Sequence, residues 1–259
     1  MSTFRQKIWT LKRRLASLWI SACEFLLPRG YYVQMFPYCA ERDLAKEIGA
    51  YNRGHNWPHL RDGNRALQAQ VVLDFVKDLP EGDYAEVGTY QGNFGRMIFK
   101  RMTPAAKYFC FDTFEGFDDR DMKAEDDGVR QQFTDTSLEK VRQAITGGAA
   151  DDNLVLRKGF FPDTFKGLGD RVWRFVLLDP DLYAPIKAGL ELFWPKMTPG
   201  GLIMIHDYLN PGFAGARKAV DEYFLPRGIR PMVWPDVAGT ALVVRAQETD
   251  AAAHLTAAE

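Results

Sequence analysis

Residues 83–95 read Asp83-Tyr-Ala-Glu-Val-Gly-Thr-Tyr-Gln-Gly-Asn-Phe-Gly95, and residues 109–116 read Phe109-Cys-Phe-Asp-Thr-Phe-Glu-Gly116. In the first stretch a short apolar strand runs into a turn that carries glycines and opens a helix. The second stretch is another apolar strand, and it ends at Asp112, roughly twenty residues after the glycine turn, which is the offset expected in the first unit of a nucleotide-binding sheet. Together they predict an α/β fold that binds a nucleoside at its strand ends.

Individual residues of these turns are candidates for contact with the nucleoside. Gly88 allows a tight backbone turn, and Gly92 allows a ligand or the next helix to come close. Asp112 could accept hydrogen bonds from both hydroxyls of a ribose. Tyr90 and Thr113 follow the same two strands and are weaker candidates, for which plain packing is the alternative.

The spacing of the glycines indicates which nucleoside is bound. From Gly88 they read G-x-x-x-G-x-x-G, whereas a dinucleotide fold needs G-x-G-x-x-G to seat a pyrophosphate on the helix N-terminus. Glu86, at the end of the strand, would repel a phosphate and suits a cationic ligand such as S-adenosylmethionine (SAM). The alternative for Glu86 and Asp112 is that they only cap the helices that follow them.

The rest of the chain alternates between short apolar strands and helical patterns. Strands are predicted at 84–87, 108–112, 153–156, 174–178 and 202–205, and helices at 65–77, 93–102, 137–145, 185–196 and 212–224. This alternation implies a doubly wound parallel sheet with helices on both faces. Two further strands, 231–234 and 240–245, are close enough to pair as a terminal hairpin.

Acidic residues and a histidine follow the fourth and fifth predicted strands. Asp179 and Asp181 follow the fourth, and His206 and Asp207 follow the fifth. Because ligands bind outside the carboxyl ends of the strands, these side chains should meet in one crevice. Clustered carboxylates repel one another, and a divalent cation such as Mg²⁺ would relieve this and lower the pKa of a bound hydroxyl.

Taken together, the motifs resemble the class I SAM-dependent methyltransferases, and within them the macrocin O-methyltransferase family, which methylates sugar hydroxyls. The resemblance spans 64–224. It rests on Ala85-Glu-Val-Gly-Thr-Tyr-Gln-Gly92, Asp112-Thr-Phe-Glu-Gly116, Lys158-Gly-Phe-Phe-Pro-Asp-Thr164, Leu178-Asp-Pro-Asp-Leu-Tyr183, Pro199-Gly-Gly-Leu-Ile-Met-Ile-His-Asp-Tyr208 and Gly215-Ala-Arg-Lys-Ala-Val220. It implies a Rossmann-like sheet that is mostly parallel with a C-terminal antiparallel hairpin, a SAM cofactor, and methyl transfer to a hydroxyl of a sugar or glycosylated metabolite.

The same resemblance implies roles for the acidic cluster. Asp179 and Asp207 match metal-binding carboxylates, Asp181 matches the general base, and His206 stands where the family has a third metal-binding aspartate. An imidazole nitrogen binds Mn²⁺ better than Mg²⁺. Two alternatives remain for His206: it could be the base itself, since an ordinary imidazole has a pKa near 6.5, or a strand-end histidine without a chemical role.

Bulk properties agree with one main enzyme domain. The chain has 259 residues and a net charge of −1, which gives no general attraction for nucleic acid. Its three cysteines, Cys23, Cys39 and Cys110, fit reduced thiols in a cytoplasmic protein. We predict an N-terminal extension at 1–60, a methyltransferase domain at 61–248, and a frayed tail at 249–259.

The N-terminal extension opens with a basic amphipathic pattern at 4–27. We expect this helix to pack on the domain or on a second subunit of a homo-oligomer, with contact to a membrane surface as the alternative. The acidic stretch 118–127 is expected to be a solvated loop, with a lid as its alternative. Two other functions compete: a nicotinamide-dependent oxidoreductase, which lacks its phosphate motif here, and a non-catalytic SAM-fold protein that docks a partner or a membrane.

Overall fold

The computed structural model describes residues 64–122, 132–236 and 238–246. All of them belong to one compact unit of the chain, Asp43–Glu259. The helix predicted at 4–27, the rest of the extension 1–60 and the tail 249–259 lie outside the described residues. The acidic stretch 118–127 is described only as far as Met122. In the part that is described, none of the helices combines the length and apolar character needed to cross a bilayer.

Helices and strands alternate along the described chain, as predicted. The helices are α1 (Asn64–Val76), α2 (Asn93–Phe99), α3 (Leu138–Thr146), α4 (Tyr183–Phe193) and α5 (Ala214–Phe224). The strands are β1 (Asp83–Val87), β2 (Tyr108–Asp112), β3 (Leu154–Lys158), β4 (Trp173–Leu178), β5 (Met197–Ile205), β6 (Met232–Val233) and β7 (Ala241–Val244). The largest difference from the prediction is β5, which begins at Met197 rather than at residue 202.

The strands form one sheet in the order β3-β2-β1-β4-β5-β7-β6. Neighbours among the first five are parallel, while β7 runs antiparallel to both β5 and β6, so the predicted terminal hairpin is confirmed. After β3 the chain crosses back to the other side of β1. The crevice between the carboxyl ends of β1 and β4 is therefore the switch point where such sheets bind ligands.

One face of the sheet rests on an aromatic cluster. The Phe193 ring lies 5.0 Å from both Phe165 and Trp173, and Phe161 lies 5.5 Å from Phe111 at the edge of the crevice. Ring pairs at these separations add stability beyond the area that they bury. The packing of this cluster supports the strand ends that border the crevice.

Candidate active site

A cavity lies at the switch point, and it encloses roughly 590 Å³ when the open space at its mouth is included. The ends of β1 to β4 and the loops after them form its walls. Six of the residues predicted from the sequence line it, namely Gly88, Tyr90, Asp112, Thr113, Asp179 and Asp181. Glu86, Gly92, His206 and Asp207 are not among the lining residues.

Gly88 is needed because two turns of the protein meet there. Its φ angle is +83°, and a Cβ at this position would lie 2.2 Å from the carbonyl oxygen of Asp179. No side chain fits at that distance. The glycine therefore allows the turn after β1 to touch the turn after β4, which closes the floor of the cavity.

Gly92 faces another helix and not the cavity. It precedes α2 with a φ angle of +75°, and a Cβ there would come within 3.2 Å of the side chains of Val141 and Ile145 on α3. Of the two roles weighed for Gly92, the structure supports close packing with another helix.

Glu86 is not among the residues that line the cavity, and its predicted cofactor contact stays a prediction. It is 2% exposed, and its carboxyl accepts a 2.7 Å hydrogen bond from the Tyr108 hydroxyl. Strand side chains alternate, so Glu86 points away from Ala85 and Val87, which join the aromatic cluster. Burial raises the pKa of Glu86 from 4.5 to about 8. At neutral pH it is therefore mostly uncharged and cannot select a cationic ligand by charge.

Asp112 fastens the glycine turn to the end of β2. Its Oδ2 accepts hydrogen bonds from the amides of Thr89 and Tyr90, both at 2.8 Å, and its Oδ1 accepts one from the Phe114 amide at 2.6 Å. Burial raises the pKa of Asp112 even though these amides lower it. The carboxylate thus orders two cavity loops and still lies on the cavity wall.

Tyr90 and Thr113 are also held by the protein. The Tyr90 hydroxyl donates to Asp135 at 2.6 Å, and its ring packs edge-on against Phe133 at 5.1 Å. The Thr113 hydroxyl donates to the carbonyl of Gly116. Both residues lie on the cavity wall with fixed side chains.

The side chains that follow β4 and β5 lie close together, as predicted. The His206 Nδ1 atom lies 3.0 Å from Asp179 Oδ1 and 2.6 Å from Asp207 Oδ2. Asn210 donates to Asp207 Oδ1 at 2.6 Å. Asp181 and Asp207 have φ angles of 62° and 57°, a backbone conformation that costs energy for a residue with a side chain and is concentrated at functional sites.

The residues of this cluster shift one another's pKa values. Burial and the charge of Arg65 lower the pKa of His206, but Asp179 and Asp207 outweigh them and raise it from 6.5 to about 10. Burial alone would raise the pKa of Asp207, yet His206 holds it down to about 2. Burial and the neighbouring Asp207 and Asp179 raise the pKa of Asp181 well above its ordinary value.

Arg65 is a site residue that the sequence does not reveal. It lies in the first turn of α1, is 5% exposed, and places Nη2 2.5 Å from Asp179 Oδ2. One turn later, Gln68 donates to Asp236 at 2.5 Å, and Asp236 also accepts from the hydroxyl of Thr240. These contacts hold the start of α1 over the ends of β4 and β5. No motif marks Arg65, because its partner lies 114 residues away in the chain.

The donor atoms fit a divalent cation. Within the described residues, Asp179, His206 and Asp207 each offer one ligand atom, and these atoms lie within 4.8 Å of one another. Two carboxylate oxygens and one imidazole nitrogen suit Mn²⁺, Fe²⁺ or Zn²⁺ better than Mg²⁺. Asp179 contacts Arg65 through Oδ2 and His206 through Oδ1.

The sheet order, its antiparallel β7 and a cavity at the switch point define a class I methyltransferase. The model of the macrocin-O-methyltransferase (TylF) family matches residues 43–243, and the chain belongs to this family of SAM-dependent O-methyltransferases.

Two curated relatives agree with this assignment, and a solved structure agrees with the fold. An enzyme of Streptomyces olivaceus, the 8-demethyl-8-(2,3-dimethoxy-alpha-L-rhamnosyl)-tetracenomycin-C 4'-O-methyltransferase, is 30% identical over an alignment of 220 residues that covers 76% of this chain and 79% of that protein. The mycinamicin III 3''-O-methyltransferase of Micromonospora griseorubida is 30% identical over an alignment of 200 residues that covers 70% of this chain and 77% of that protein. The structure of the O-methyltransferase NovP matches the fold with a TM-score of 0.62 at 23% identity, covering 77% of this chain and 88% of that one.

Proposed function

We propose that the protein transfers a methyl group from SAM to a hydroxyl of a sugar carried by a small metabolite. One observation carries the proposal: Asp179 and Asp181 line the cofactor cavity, and Asp179 also contacts His206 of the polar cluster. The cavity and the cluster are therefore parts of one site. The two curated relatives are named for O-methylation of a rhamnosyl tetracenomycin and of mycinamicin III, which supports a glycosylated acceptor.

The cavity is suited to a cationic cofactor. Five aspartates are among its described lining residues, Asp112, Asp118, Asp121, Asp179 and Asp181, and no lysine or arginine is. Burial, followed by the neighbouring Asp118, raises the pKa of Asp121 to about 7, so its charge is partial at neutral pH. Arg120 and Arg65 pair with Asp118 and Asp179 from outside the lining, so carboxylates are the charged groups nearest to a bound sulfonium, and this favours SAM over its neutral product. The preference that Glu86 was expected to provide thus comes from the cavity wall.

Catalysis requires alignment and removal of one proton. SAM supplies a methyl group on a positively charged sulfur, which an acceptor oxygen displaces in line. The protein must hold the acceptor at the mouth of the cavity and take its proton. Asp181 lines the cavity, which supports it as the base, and its raised pKa would make its carboxylate a stronger base than that of an ordinary aspartate. His206 is the alternative base, a role that its nitrogen could not combine with binding a cation.

We further propose that Asp179, His206 and Asp207 hold a divalent cation. When bound, such an ion would orient the acceptor hydroxyl and lower its pKa. His206 and Asn210 fix the two oxygens of Asp207, and the left-handed backbone of Asp207 directs this side chain to the cluster. The mixed donor set predicts a preference for Mn²⁺ over Mg²⁺.

Calorimetry with SAM, S-adenosylhomocysteine and NAD tests the cofactor assignment. We expect both SAM and S-adenosylhomocysteine to bind, and SAM to bind more tightly because of the acidic wall. The variant Asp118→Asn should reduce this preference, while Asp170→Asn, on an exposed aspartate outside the cavity lining, should leave it unchanged. Tight binding of NAD without binding of SAM would reject the methyltransferase assignment.

A further inference from the structure

The ion pair between Arg65 and Asp179 lies inside the proposed metal cluster. Only 6% of the Arg65 side chain and 17% of the Asp179 side chain are exposed. The guanidinium also lies 5.3 Å from the centre of the Phe94 ring, which holds it from a second side. An arginine in such a position keeps its charge at all working pH values. The cluster therefore contains a permanent cation of its own.

Arg65 and His206 contact different oxygens of the Asp179 carboxylate. Oδ2 contacts Arg65 at 2.5 Å, and Oδ1 contacts His206 at 3.0 Å. While Arg65 is in place, Asp179 can offer a metal only Oδ1, so a bidentate mode is blocked. A divalent ion on Oδ1 would also share its carboxylate with a positive charge, and like charges this close repel in a buried setting.

We propose that Arg65 lowers the affinity of this site for divalent cations, so that the ion binds weakly and exchanges readily. The inference rests on the proposed metal site of Asp179, His206 and Asp207. Arg65 supplies part of the positive charge that the carboxylates need, and this reduces the gain from a bound ion. Arg65 acts through its charge on Asp179 and is not itself a ligand of the ion.

An opposite effect must be weighed, since residues behind a metal ligand can raise affinity by orienting it. Asp179 is oriented without Arg65. Its amide donates to the Val87 carbonyl at 2.8 Å, and its own carbonyl lies against Gly88 in the closed floor of the cavity. Its Oδ1 is held by His206. Loss of Arg65 should therefore remove the repulsion between its guanidinium and a bound ion while leaving Asp179 in place.

The test measures Mn²⁺ binding by electron paramagnetic resonance, on the full chain without cofactor. Arg65→Gln removes the charge but keeps a donor for Asp179, and Arg65→Met removes both and keeps an aliphatic side chain on Phe94. We expect both variants to bind Mn²⁺ about tenfold more tightly than wild type, or more. Arg65→Lys keeps the charge and should stay near wild type.

Arg171→Gln is the matched control. Arg171 contacts Asp83 at 2.5 Å and lies 4.8 Å from the Phe109 ring, so it repeats both contacts of Arg65, but at the opposite end of β1. This variant should bind Mn²⁺ as wild type does. SAM binding, measured by calorimetry, shows that each variant is folded.

Three results would overturn the inference. One is unchanged or weaker Mn²⁺ binding in Arg65→Gln, which would mean that Arg65 orients Asp179. Another is wild-type binding much tighter than about 1 mM, which needs no variant to observe. The third is no Mn²⁺ binding in any variant, which removes the metal site itself. SAM binding and methyl transfer by the same preparations would still support the proposed reaction, so the two failures can be told apart.

Discussion

Replacing Asp112 with asparagine tests how the cofactor cavity is built. Three amides donate to this carboxylate, those of Thr89 and Tyr90 to one oxygen and that of Phe114 to the other. Asparagine keeps one oxygen and places an amide nitrogen where the second oxygen was. If the retained oxygen faces Thr89 and Tyr90, the Phe114 amide loses its acceptor. Phe114 has a φ angle of 56°, so its turn also loses a contact that holds it in an unfavourable conformation.

The cost can be estimated from these contacts. A hydrogen bond to a charged acceptor contributes about 1.5–3 kcal/mol, and a bond to a neutral acceptor about 0.5–1.5 kcal/mol. The Phe114 bond is lost, and the other two become neutral. Against this, the raised pKa of Asp112 shows that burial penalises its charge, and asparagine removes that penalty. We expect a net loss of about 1–3 kcal/mol in the free energy of unfolding.

Urea unfolding measures this loss, and calorimetry on the same variant measures SAM affinity. We expect SAM affinity to fall about tenfold or more, because the loops move and a ribose acceptor is lost. Asp163→Asn, at an exposed aspartate, is the control and should change stability by less than about 0.5 kcal/mol. Wild-type stability together with wild-type SAM affinity in Asp112→Asn would refute this account of the cavity.

Three further predictions follow from the structure and the sequence. Gly88→Ala should abolish SAM binding, since its Cβ would lie 2.2 Å from the Asp179 carbonyl; calorimetry checks this, and normal affinity would contradict the contact. In chelator, the stability that His206 contributes should be complete below its ordinary pKa of 6.5 and lost as pH rises through about 10, because its pKa is raised in the folded state. Urea titrations of wild type and His206→Ala over this range measure it, and a difference between them that does not change with pH would reject it. Deletion of 1–27 should lower the melting temperature or change the oligomer, and flotation of the full chain with anionic vesicles would instead support the membrane alternative.

The sequence predicts the order of elements well because each buried strand is an apolar run bounded by a turn. It fails at the start of β5, where Met197-Thr-Pro-Gly-Gly201 has the composition of a turn. The structure pairs Met197 with Trp173 and then shifts register before Phe175 pairs with Leu202. Such an irregular pairing leaves no apolar run to detect.

The site residues were predictable where they follow strand ends, and less so elsewhere. Asp112, Asp179 and Asp181 lie on the cavity wall because the parallel topology sets the position of strand ends. For Glu86 the sequence does not indicate which face of β1 the side chain joins, because this strand is covered on both faces and reads as one apolar run. Arg65 was missed because a single arginine in a helix carries no signal of a partner across the fold.

Methyl transfer itself is the most direct test of the proposed function. Purified protein is incubated with methyl-labelled SAM and rhamnosylated metabolites of the tetracenomycin type, and products are identified by mass spectrometry, in wild type and in Asp181→Asn. We predict that one labelled methyl group appears on a sugar hydroxyl with wild type, and that Asp181→Asn loses this turnover while still binding SAM. The rate should rise with pH as Asp181 loses its proton. Full turnover in Asp181→Asn would contradict its role as the base, and SAM binding with no labelled sugar would contradict the proposed reaction.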